Sequence, residues 1–293
     1  MTEEWAPPLP RGGRQTVKGS LAHGGFRRVS TRFPAILDAC AFTGPKTFSA
    51  IVRVKNEEQY LGAAVGSIVD LVEEVVIVDN LSTDRTPEII GELVVAHPGR
   101  VRALAYPHEL ARYGEENAAL AETPKGRRSP RLIANFYNWT LKQSAHPFVL
   151  KWDGDTIATA ELGRALDDFR DSSAQTLWHI GANLHPDGQH LIAPRPFEEP
   201  EPRLFYKRWA HYNNGLIYCE MLKSPYVDLD KYRLSWTEPV YVHMKYCKRV
   251  PFLNMSNDLQ RQAIADTRPG PPIDDDVRST IRRWGLMPER EGR

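Results

Sequence analysis

The stretch FSAIVRVKNEEQYLGAAVGSIVDLVEEVVIVDN, residues 48–80, decides the fold class of this chain. Two short apolar runs rich in β-branched residues, 48–54 and 75–80, are typical of buried strands. Between them, residues 56–68 begin with acidic side chains, which a helix dipole favours in its first turn, and continue with apolar positions at helical spacing. The stretch therefore predicts a β-α-β unit with two parallel strands.

The same alternation continues along the chain. A helix is predicted near Pro87, a strand over 101–106, a helix over 131–145 and another strand, PFVLKWDGDT, over 147–156. The polar insertion 107–130 is predicted to be a loop or lid. Strands that alternate with helices indicate an α/β protein whose sheet is mainly parallel and flanked by helices.

Composition narrows the classes of function. The 293 residues include 38 Lys and Arg against 37 Asp and Glu, a net charge of +1, which argues against nucleic-acid binding as the main activity. Cys40, Cys219 and Cys247 form no CxxC pair, so neither a disulfide framework nor a thiolate zinc site is expected. No apolar run reaches the roughly 18 residues of a membrane span. We expect a cytoplasmic protein without a transmembrane segment.

Polar clusters follow three of the predicted strands: Asn56-Glu57, Asp79-Asn80 and Asp153-Gly154-Asp155. In open parallel sheets, ligands bind at the carboxyl ends of the strands. Two carboxylates separated by one glycine can approach a hard cation together, and glycine lets phosphates come close. The alternative is an Asp-Gly-Asp turn at the surface, because a single DxD also occurs by chance.

Segments 49–90 and 132–157 together resemble the family 2 glycosyltransferases of GT-A fold. The match comprises the Asn-Glu-Glu after the first strand, the VVDxxSTDxT-like pattern after the second, an Asn in the helix before DxD, and DxD itself. The resemblance implies a GT-A sheet with a smaller acceptor-side α+β extension. It also implies a nucleotide pocket at the strand ends, where Asp79 would accept hydrogen bonds from base or ribose. The nucleotide-binding residues it predicts are Val52, Arg53, Val54, Asn56, Glu57, Asp79, Asn80, Lys151 and Asp153.

The resemblance further implies a divalent cation, Mn²⁺ or Mg²⁺. Asp153 and Asp155 match the DxD, with Asp155 as the direct ligand. His243 matches a histidine that completes the metal–diphosphate site in relatives, although a buried histidine with satisfied hydrogen bonds is an equal alternative. Imidazole is more compatible with Mn²⁺ than with Mg²⁺. Lys245 lies on the same side of the extended segment 241–249 and could stabilise the leaving phosphates.

The acceptor half is less strongly predicted. Some bacterial members of the family carry a segment similar to Arg203-Leu204-Phe205, followed by an acid that acts as the base. Glu220 is the first candidate for this base, and Glu201 and Asp228 are the alternatives. Arg203 could bind a diphosphate or pair with a preceding glutamate. Trp209 is predicted to contact the acceptor through aromatic stacking, although aromatic residues at this density also build cores.

Two departures from the family pattern stand after the second strand, where Asn80 replaces an acid and Leu81 replaces a glycine. The sequence nevertheless predicts a metal-dependent, inverting glycosyltransferase that uses a nucleotide-diphosphate sugar and a hydroxyl acceptor. The acceptor could be a polysaccharide, a lipid-linked intermediate or a small metabolite, and an oligomer is compatible with the sequence. The alternatives are a nucleotidyltransferase acting on a sugar phosphate, disfavoured because no glycine-rich loop follows the first strand, and a non-catalytic binding protein.

The expected organisation has four parts. Residues 1–46 form a Pro/Gly-rich extension with seven basic and three acidic residues, which could contact an anionic membrane at its inner face. Residues 47–160 form the nucleotide-sugar-binding half and 161–266 the acceptor-binding half. Residues 267–293 form a tail with a short helix.

Overall fold

The computed structural model describes residues 41–213, 221–223, 229–248 and 267–286 of the chain. Most of the basic extension, the predicted base Glu220 and its alternative Asp228 lie outside these residues.

A mixed sheet organises the described residues. The strands are β1 Phe48–Val54, β2 Glu74–Asp79, β3 Val101–Ala105, β4 Phe148–Asp153, β5 Thr156–Ala158, β6 Thr176–Asn183, β7 His190–Ala193, β8 Glu201–Tyr206, β9 His211–Asn213, β10 Met221–Lys223, β11 Arg233–His243 and β12 Arg268–Pro272. The mixed sheet has the strand order β3-β2-β1-β4-β8-β6-β11-β5. Parallel pairs join β3, β2, β1 and β4, and another joins β6 to β11, whereas β8 and β5 run antiparallel to their neighbours. The predicted mainly parallel α/β class is therefore confirmed.

Helices cover the sheet. None in the described part of the chain is long and apolar enough to cross a membrane. The helices are α1 Leu61–Gly66, α2 Thr86–Ala96, α3 Glu115–Glu122, α4 Ile133–Leu141, α5 Ala160–Asp171 and α6 Asp275–Arg283, and short 3₁₀ turns occupy Gly126–Arg128, Lys207–Trp209, Leu229–Tyr232 and Lys245–Cys247.

The central strand β1 is buried on both faces, which explains its nearly continuous apolar sequence. Val52 belongs to a core cluster that includes Leu166 of α5, and Ile51 belongs to another that includes Ala134 of α4. Because successive side chains of a strand point to opposite faces, both faces of β1 require apolar residues.

Two local predictions were imprecise. The helix predicted from Asn56 begins at Leu61, because Asn56 adopts a φ of 56° and the Glu57 amide donates to the Thr86 hydroxyl at 2.7 Å. These contacts with the loop after β2 prevent a helical first turn at Asn56. The insertion predicted as a loop or lid contains helix α3.

The two predicted halves share one sheet, since β6, β8 and β11 extend the sheet that begins with β1–β4. The predicted C-terminal helix is confirmed as α6. It is part of the fold rather than a free tail, because Val277 and Ile281 join a buried cluster with Ala64 of α1 and Val242 of β11.

Candidate active site

The candidate site lies at the carboxyl edge of the parallel strands. β1 pairs with β2 on one side and with β4 on the other, so that Val54 is opposite Asp79 and Arg53 is opposite Asp153. Asp79 and Asp153 are therefore held at one edge of the sheet, on either side of β1. Ligands bind at this edge in open parallel sheets.

A tight turn between β4 and β5 carries the two predicted metal-site carboxylates. The Thr156 hydroxyl donates to the Asp153 carbonyl at 2.9 Å and closes the turn. A Cβ on Gly154 would lie 2.9 Å from Cγ of Glu57 and 3.0 Å from Cγ1 of Val54. Glycine is thus needed at this position so that the Glu57 side chain can pass close to the turn.

His243 belongs to β11, which β8 and β6 separate from β4 in the sheet, yet its side chain lies beside this turn. β11 runs antiparallel to β5 with His243 opposite Thr156, which brings the imidazole Nε2 to 3.3 Å from Asp155 Oδ1. The other ring nitrogen, Nδ1, lies 2.7 Å from Glu198 Oε1. Burial lowers the pKa of His243, but the charges of Asp155 and Glu198 outweigh it and raise that pKa to about 9. The structure therefore unites the predicted ligands Asp155 and His243.

Lys248 bridges two acids beside this pair. Its Nζ lies 2.7 Å from Asp155 Oδ2 and 2.6 Å from Glu57 Oε1. Burial would raise the pKa of Asp155, yet His243 and Lys248 hold it well below its usual range, so Asp155 is ionised. Glu57 differs, because burial and then the charge of Asp155 raise its pKa to about 7 despite Lys248.

Glu198 is the site residue that the sequence did not indicate. Besides His243, its carboxylate accepts from the Tyr241 hydroxyl, from Lys245 Nζ at 3.1 Å and from Arg203 Nη2 at 3.3 Å. Burial would raise its pKa, but His243, Arg203 and Lys245 lower it far below the usual range. Glu198 is one of three glutamates in the segment EEPEP. The only sign of its role in the sequence is that several acids occur just before Arg203.

Arg203 is buried among carboxylates. Its guanidinium lies 2.8 Å from Asp153 and also pairs with Glu198 and Glu201. Of the two predicted roles for Arg203, the structure places it in the pairing with preceding glutamates. Burial disfavours its charge, yet these acids keep the pKa of Arg203 well above its usual value. The Asp153 carboxyl, for which burial would raise the pKa, instead has a pKa of about 2 because of Arg203 and Lys151.

Glu201, a predicted catalytic residue, also lies at this edge. It begins β8, which runs antiparallel to β4, so the start of β8 lies beside the end of β4. Its side chain is 41% exposed and lies 3.8 Å from Lys151 Nζ. Lys151, predicted near the nucleotide, is itself buried within β4.

The polar residues that follow β2 hold the loops after β2 and β3 in place through hydrogen bonds. Asp79 accepts from the Ser82 amide at 3.3 Å. Asn80 is buried, and its amide donates to the carbonyls of Tyr106 at 3.1 Å and His108 at 2.8 Å, which anchors the loop after β3. Leu81 has a φ of 57°, so the left-handed conformation that favours glycine is kept without one.

The remaining predicted nucleotide residues lie on β1 or just after it. Val52 and Val54 are buried in the sheet. The Arg53 guanidinium stacks 3.8 Å from the centre of the Tyr137 ring. Asn56 accepts from the Thr83 amide at 2.7 Å, which ties the loops after β1 and β2 together.

The prediction that Trp209 contacts the acceptor is wrong. Trp209 is buried in the main core against Tyr206 and Tyr232. Tyr206 is opposite Phe148, the first residue of β4, so Trp209 lies at the end of the sheet away from the DxD turn. Aromatic density in the sequence could not distinguish the two ends of the sheet.

One comparison with known proteins matches part of this chain to a family. Residues 49–123 match the sequence profile of glycosyl transferase family 2. The matched residues run from β1 to the end of α3, and the mixed α/β sheet is of the class that the resemblance implies. A search of curated proteins gives no match.

Solved protein structures share weaker similarity with this chain. Staphylococcus aureus TarS 1-349, in complex with UDP, is 17% identical with a TM-score of 0.44, over 67% of this chain and only 60% of that one. Glucosyl-3-phosphoglycerate synthase from Mycobacterium tuberculosis, in complex with Mg²⁺ and UDP, is 15% identical with a TM-score of 0.37, over 90% of this chain and 87% of that one. The same synthase with Mn²⁺, UDP and phosphoglyceric acid is 18% identical with a TM-score of 0.28, over 55% and 49%.

Proposed function

Because residues 49–123 match the sequence profile of glycosyl transferase family 2, we propose that this chain transfers a sugar from a nucleoside-diphosphate donor to a hydroxyl group of an acceptor. The observation that carries the proposal is the proximity of Asp153, Asp155 and His243 at the carboxyl edge of the matched strands. A nucleotide at this edge would have its phosphates beside these groups. Asp79, at the end of the neighbouring strand, would contact the base or ribose.

The proposal includes a divalent cation held by Asp155 and His243. These side chains offer one oxygen and one nitrogen ligand that face each other at 3.3 Å. Among the described residues, no group of three or more His, Cys, Asp or Glu side chains could hold a metal ion alone. Two protein ligands suit a cation that takes its other ligands from phosphates and water, and the imidazole favours Mn²⁺. When bound, the cation would neutralise charge on the leaving diphosphate. His243 would have to release its extra proton on binding.

Two lysines would complete the electrostatics of the leaving group. Lys248 Nζ lies 2.7 Å from Asp155, and Lys245 Nζ lies 3.1 Å from Glu198. Both ammonium groups are thus held within reach of the atoms around which a diphosphate would bind. Positive charge fixed in advance at such a position stabilises the charge that develops as the nucleotide leaves.

An inverting transfer also needs a carboxylate that takes the proton of the acceptor hydroxyl. Glu198 is a poor candidate because its side chain is 14% exposed and surrounded by donors. Glu201 is 41% exposed and therefore accessible to an acceptor. We retain Glu201 together with Glu220, which lies outside the described residues, as candidates for this base. The acceptor would be a glycan, a lipid-linked intermediate or a small metabolite.

A thermal-shift panel tests the donor and the cation together. Nucleoside diphosphates and their sugars are added with and without Mn²⁺, and a ligand at 100 times its Kd would stabilise the protein by about 2.7 kcal/mol. Asp155→Asn should remove the Mn²⁺-dependent part of the shift. Asp70→Asn is the matched control, because the Asp70 side chain is 89% exposed and precedes the amino end of β2, whereas the site lies at the carboxyl ends of the strands.

Different results of this panel test the donor and the role of Asp155 separately. If no nucleoside diphosphate stabilises the wild-type protein, the proposed function is refuted. If stabilisation occurs but D155N retains its Mn²⁺ dependence, the role of Asp155 is refuted. Release of nucleoside diphosphate from the best donor, in wild type against Glu201→Gln and Glu220→Gln, then identifies the base.

A further inference from the structure

We propose that Glu198 is a positioning residue that fixes the ring orientation and the tautomer of His243, so that Nε2 of the ring is presented to Asp155. The inference rests on the proposed function, because it assigns His243 as a ligand of the divalent cation. It concerns a residue that neither the sequence motifs nor the family match indicates.

The first observation is the geometry of the imidazole. Nδ1 of His243 lies 2.7 Å from Glu198 Oε1, and Nε2 lies 3.3 Å from Asp155 Oδ1. A carboxylate that accepts from Nδ1–H leaves the lone pair of Nε2 available for a cation. Metal-binding histidines commonly donate their second N–H to such an acceptor, which fixes the tautomer and the orientation of the ring.

The second observation is that Glu198 is itself immobilised. One carboxylate oxygen accepts from the Tyr241 hydroxyl and from Arg203 Nη2 at 3.3 Å, and the other accepts from Lys245 Nζ at 3.1 Å as well as from His243. Its backbone amide donates to the Gly181 carbonyl at 2.9 Å. Rotation of the carboxylate would break several of these bonds, so Glu198 can impose an orientation on the ring.

The third observation links this carboxylate to the strand that carries His243. Tyr241 precedes His243 by two residues on β11, so both side chains project from the same face. Gly181 of β6 leaves space for the Tyr241 ring, because a Cβ there would lie 1.9 Å from Cε2 of that ring. Strand register therefore brings the hydroxyl and the imidazole to one carboxylate.

A second connection reaches the DxD turn. Arg203 pairs with Glu198 and, at 2.8 Å, with Asp153, and its guanidinium stacks 4.7 Å from the centre of the Tyr241 ring. Glu198 thus joins the histidine side of the cation site to the first aspartate of DxD. An isolated surface carboxylate would lack these connections.

Two conservative variants distinguish the effect of the position of the Glu198 carboxylate from the effect of its charge. Glu198→Gln keeps an oxygen at the place where Nδ1–H donates but loses the charge. Glu198→Asp keeps the charge but withdraws the carboxylate by one methylene, about 1.5 Å. Glu199→Ala is the control, because Glu199 is exposed and adjacent in sequence. Binding is measured from the electron paramagnetic resonance signal of free Mn²⁺, first with Mn²⁺ alone and then with the best nucleoside diphosphate from the panel.

Positioning predicts that E198D and Glu198→Ala bind Mn²⁺ about 10–100-fold more weakly, the range typical for loss of such a partner, whereas E198Q binds within a few-fold of wild type. E199A should be unchanged. If E198D binds as tightly as E198Q or more tightly, charge rather than position matters and the inference is overturned. If wild type binds Mn²⁺ in neither condition, the proposed cation site fails as well. Wild-type binding that requires Asp155 but tolerates E198D refutes the role of Glu198 alone.

Discussion

Gly181→Ala gives a direct test of how the strand register builds this site. A Cβ at residue 181 would lie 1.9 Å from Cε2, 2.3 Å from Cζ and 2.4 Å from Cδ2 of the Tyr241 ring. The ring cannot move aside easily, because it is fully buried and packs against Trp152 and His179 with centroid distances of 5.6 and 5.7 Å. The substitution must therefore displace Tyr241 and its hydroxyl from Glu198.

The expected loss combines three contributions. Overpacking a core costs about 1–3 kcal/mol, and loss of a hydrogen bond to a charged group costs about 1.5–3 kcal/mol. Replacing glycine within a strand returns about 0.5–1 kcal/mol through the unfolded chain. The free energy of unfolding should thus fall by about 1.5–5.5 kcal/mol, and the Tm by on the order of 10 °C. Mn²⁺ affinity should also fall, since Glu198 loses one of its fixed donors.

The assay is thermal unfolding followed by circular dichroism, with Gly163→Ala as the matched control. Gly163 lies inside helix α5, where a Cβ would meet only Leu71 Cδ2 at 3.7 Å, an ordinary contact. That substitution should stabilise the protein by about 1 kcal/mol. In a Tyr241→Leu background, G181A should cost much less than in wild type, because the smaller side chain relieves the overlap. A G181A protein as stable as wild type, or an equal cost in both backgrounds, would refute the role assigned to Gly181.

Two further substitutions test the buried polar network. Arg203→Met, in metal-free protein, should cost about 3–5 kcal/mol because three carboxylates lose a buried partner, and an unchanged urea midpoint would contradict this role. Asn80→Asp should cost about 1–3 kcal/mol, since an aspartate cannot donate to the two carbonyls after β3 that the buried amide anchors. Although an acid at this position would match the family pattern, N80D should not tighten nucleoside-diphosphate binding, and a gain in both stability and binding would disprove the anchoring role.

The strands were predictable because parallel sheets covered on both faces need continuous apolar runs. The run over 48–54 matches β1 residue for residue, and the run over 75–80 matches β2 within one residue. The start of this helix at Leu61 rather than Asn56 was not predictable, because the conformation of Asn56 and Glu57 depends on hydrogen bonds with Thr83 and Thr86 that form only when β1 and β2 are adjacent. Local propensity was overridden there by tertiary contacts.

Some residues of the candidate site could likewise be predicted from the sequence, whereas others could not. Asp153 and Asp155 could be located from the sequence, because a polar cluster at the end of an apolar strand marks the ligand edge. His243 could be proposed only through the family resemblance, and its distance from Asp155 follows from the pairing of β11 with β5. Trp209 was misplaced because aromatic composition carries no information about which end of a strand a residue follows.

Glu198 shows where a sequence motif stops being informative. Glu198, Glu199 and Glu201 lie within four positions, and residues 198–200 before β8 follow no strand or helix period. Which of the three faces His243 is decided by the bond from the Glu198 amide to the Gly181 carbonyl and by the Tyr241 ring that Gly181 admits. The contact between Tyr241 and Gly181 requires β6 and β11 to be paired in this register. The chemistry of this site therefore depends on strand register as much as on the DxD itself, and substitutions at Gly181 or Tyr241, which offer no ligand atom to the cation, should alter Mn²⁺ binding through Glu198.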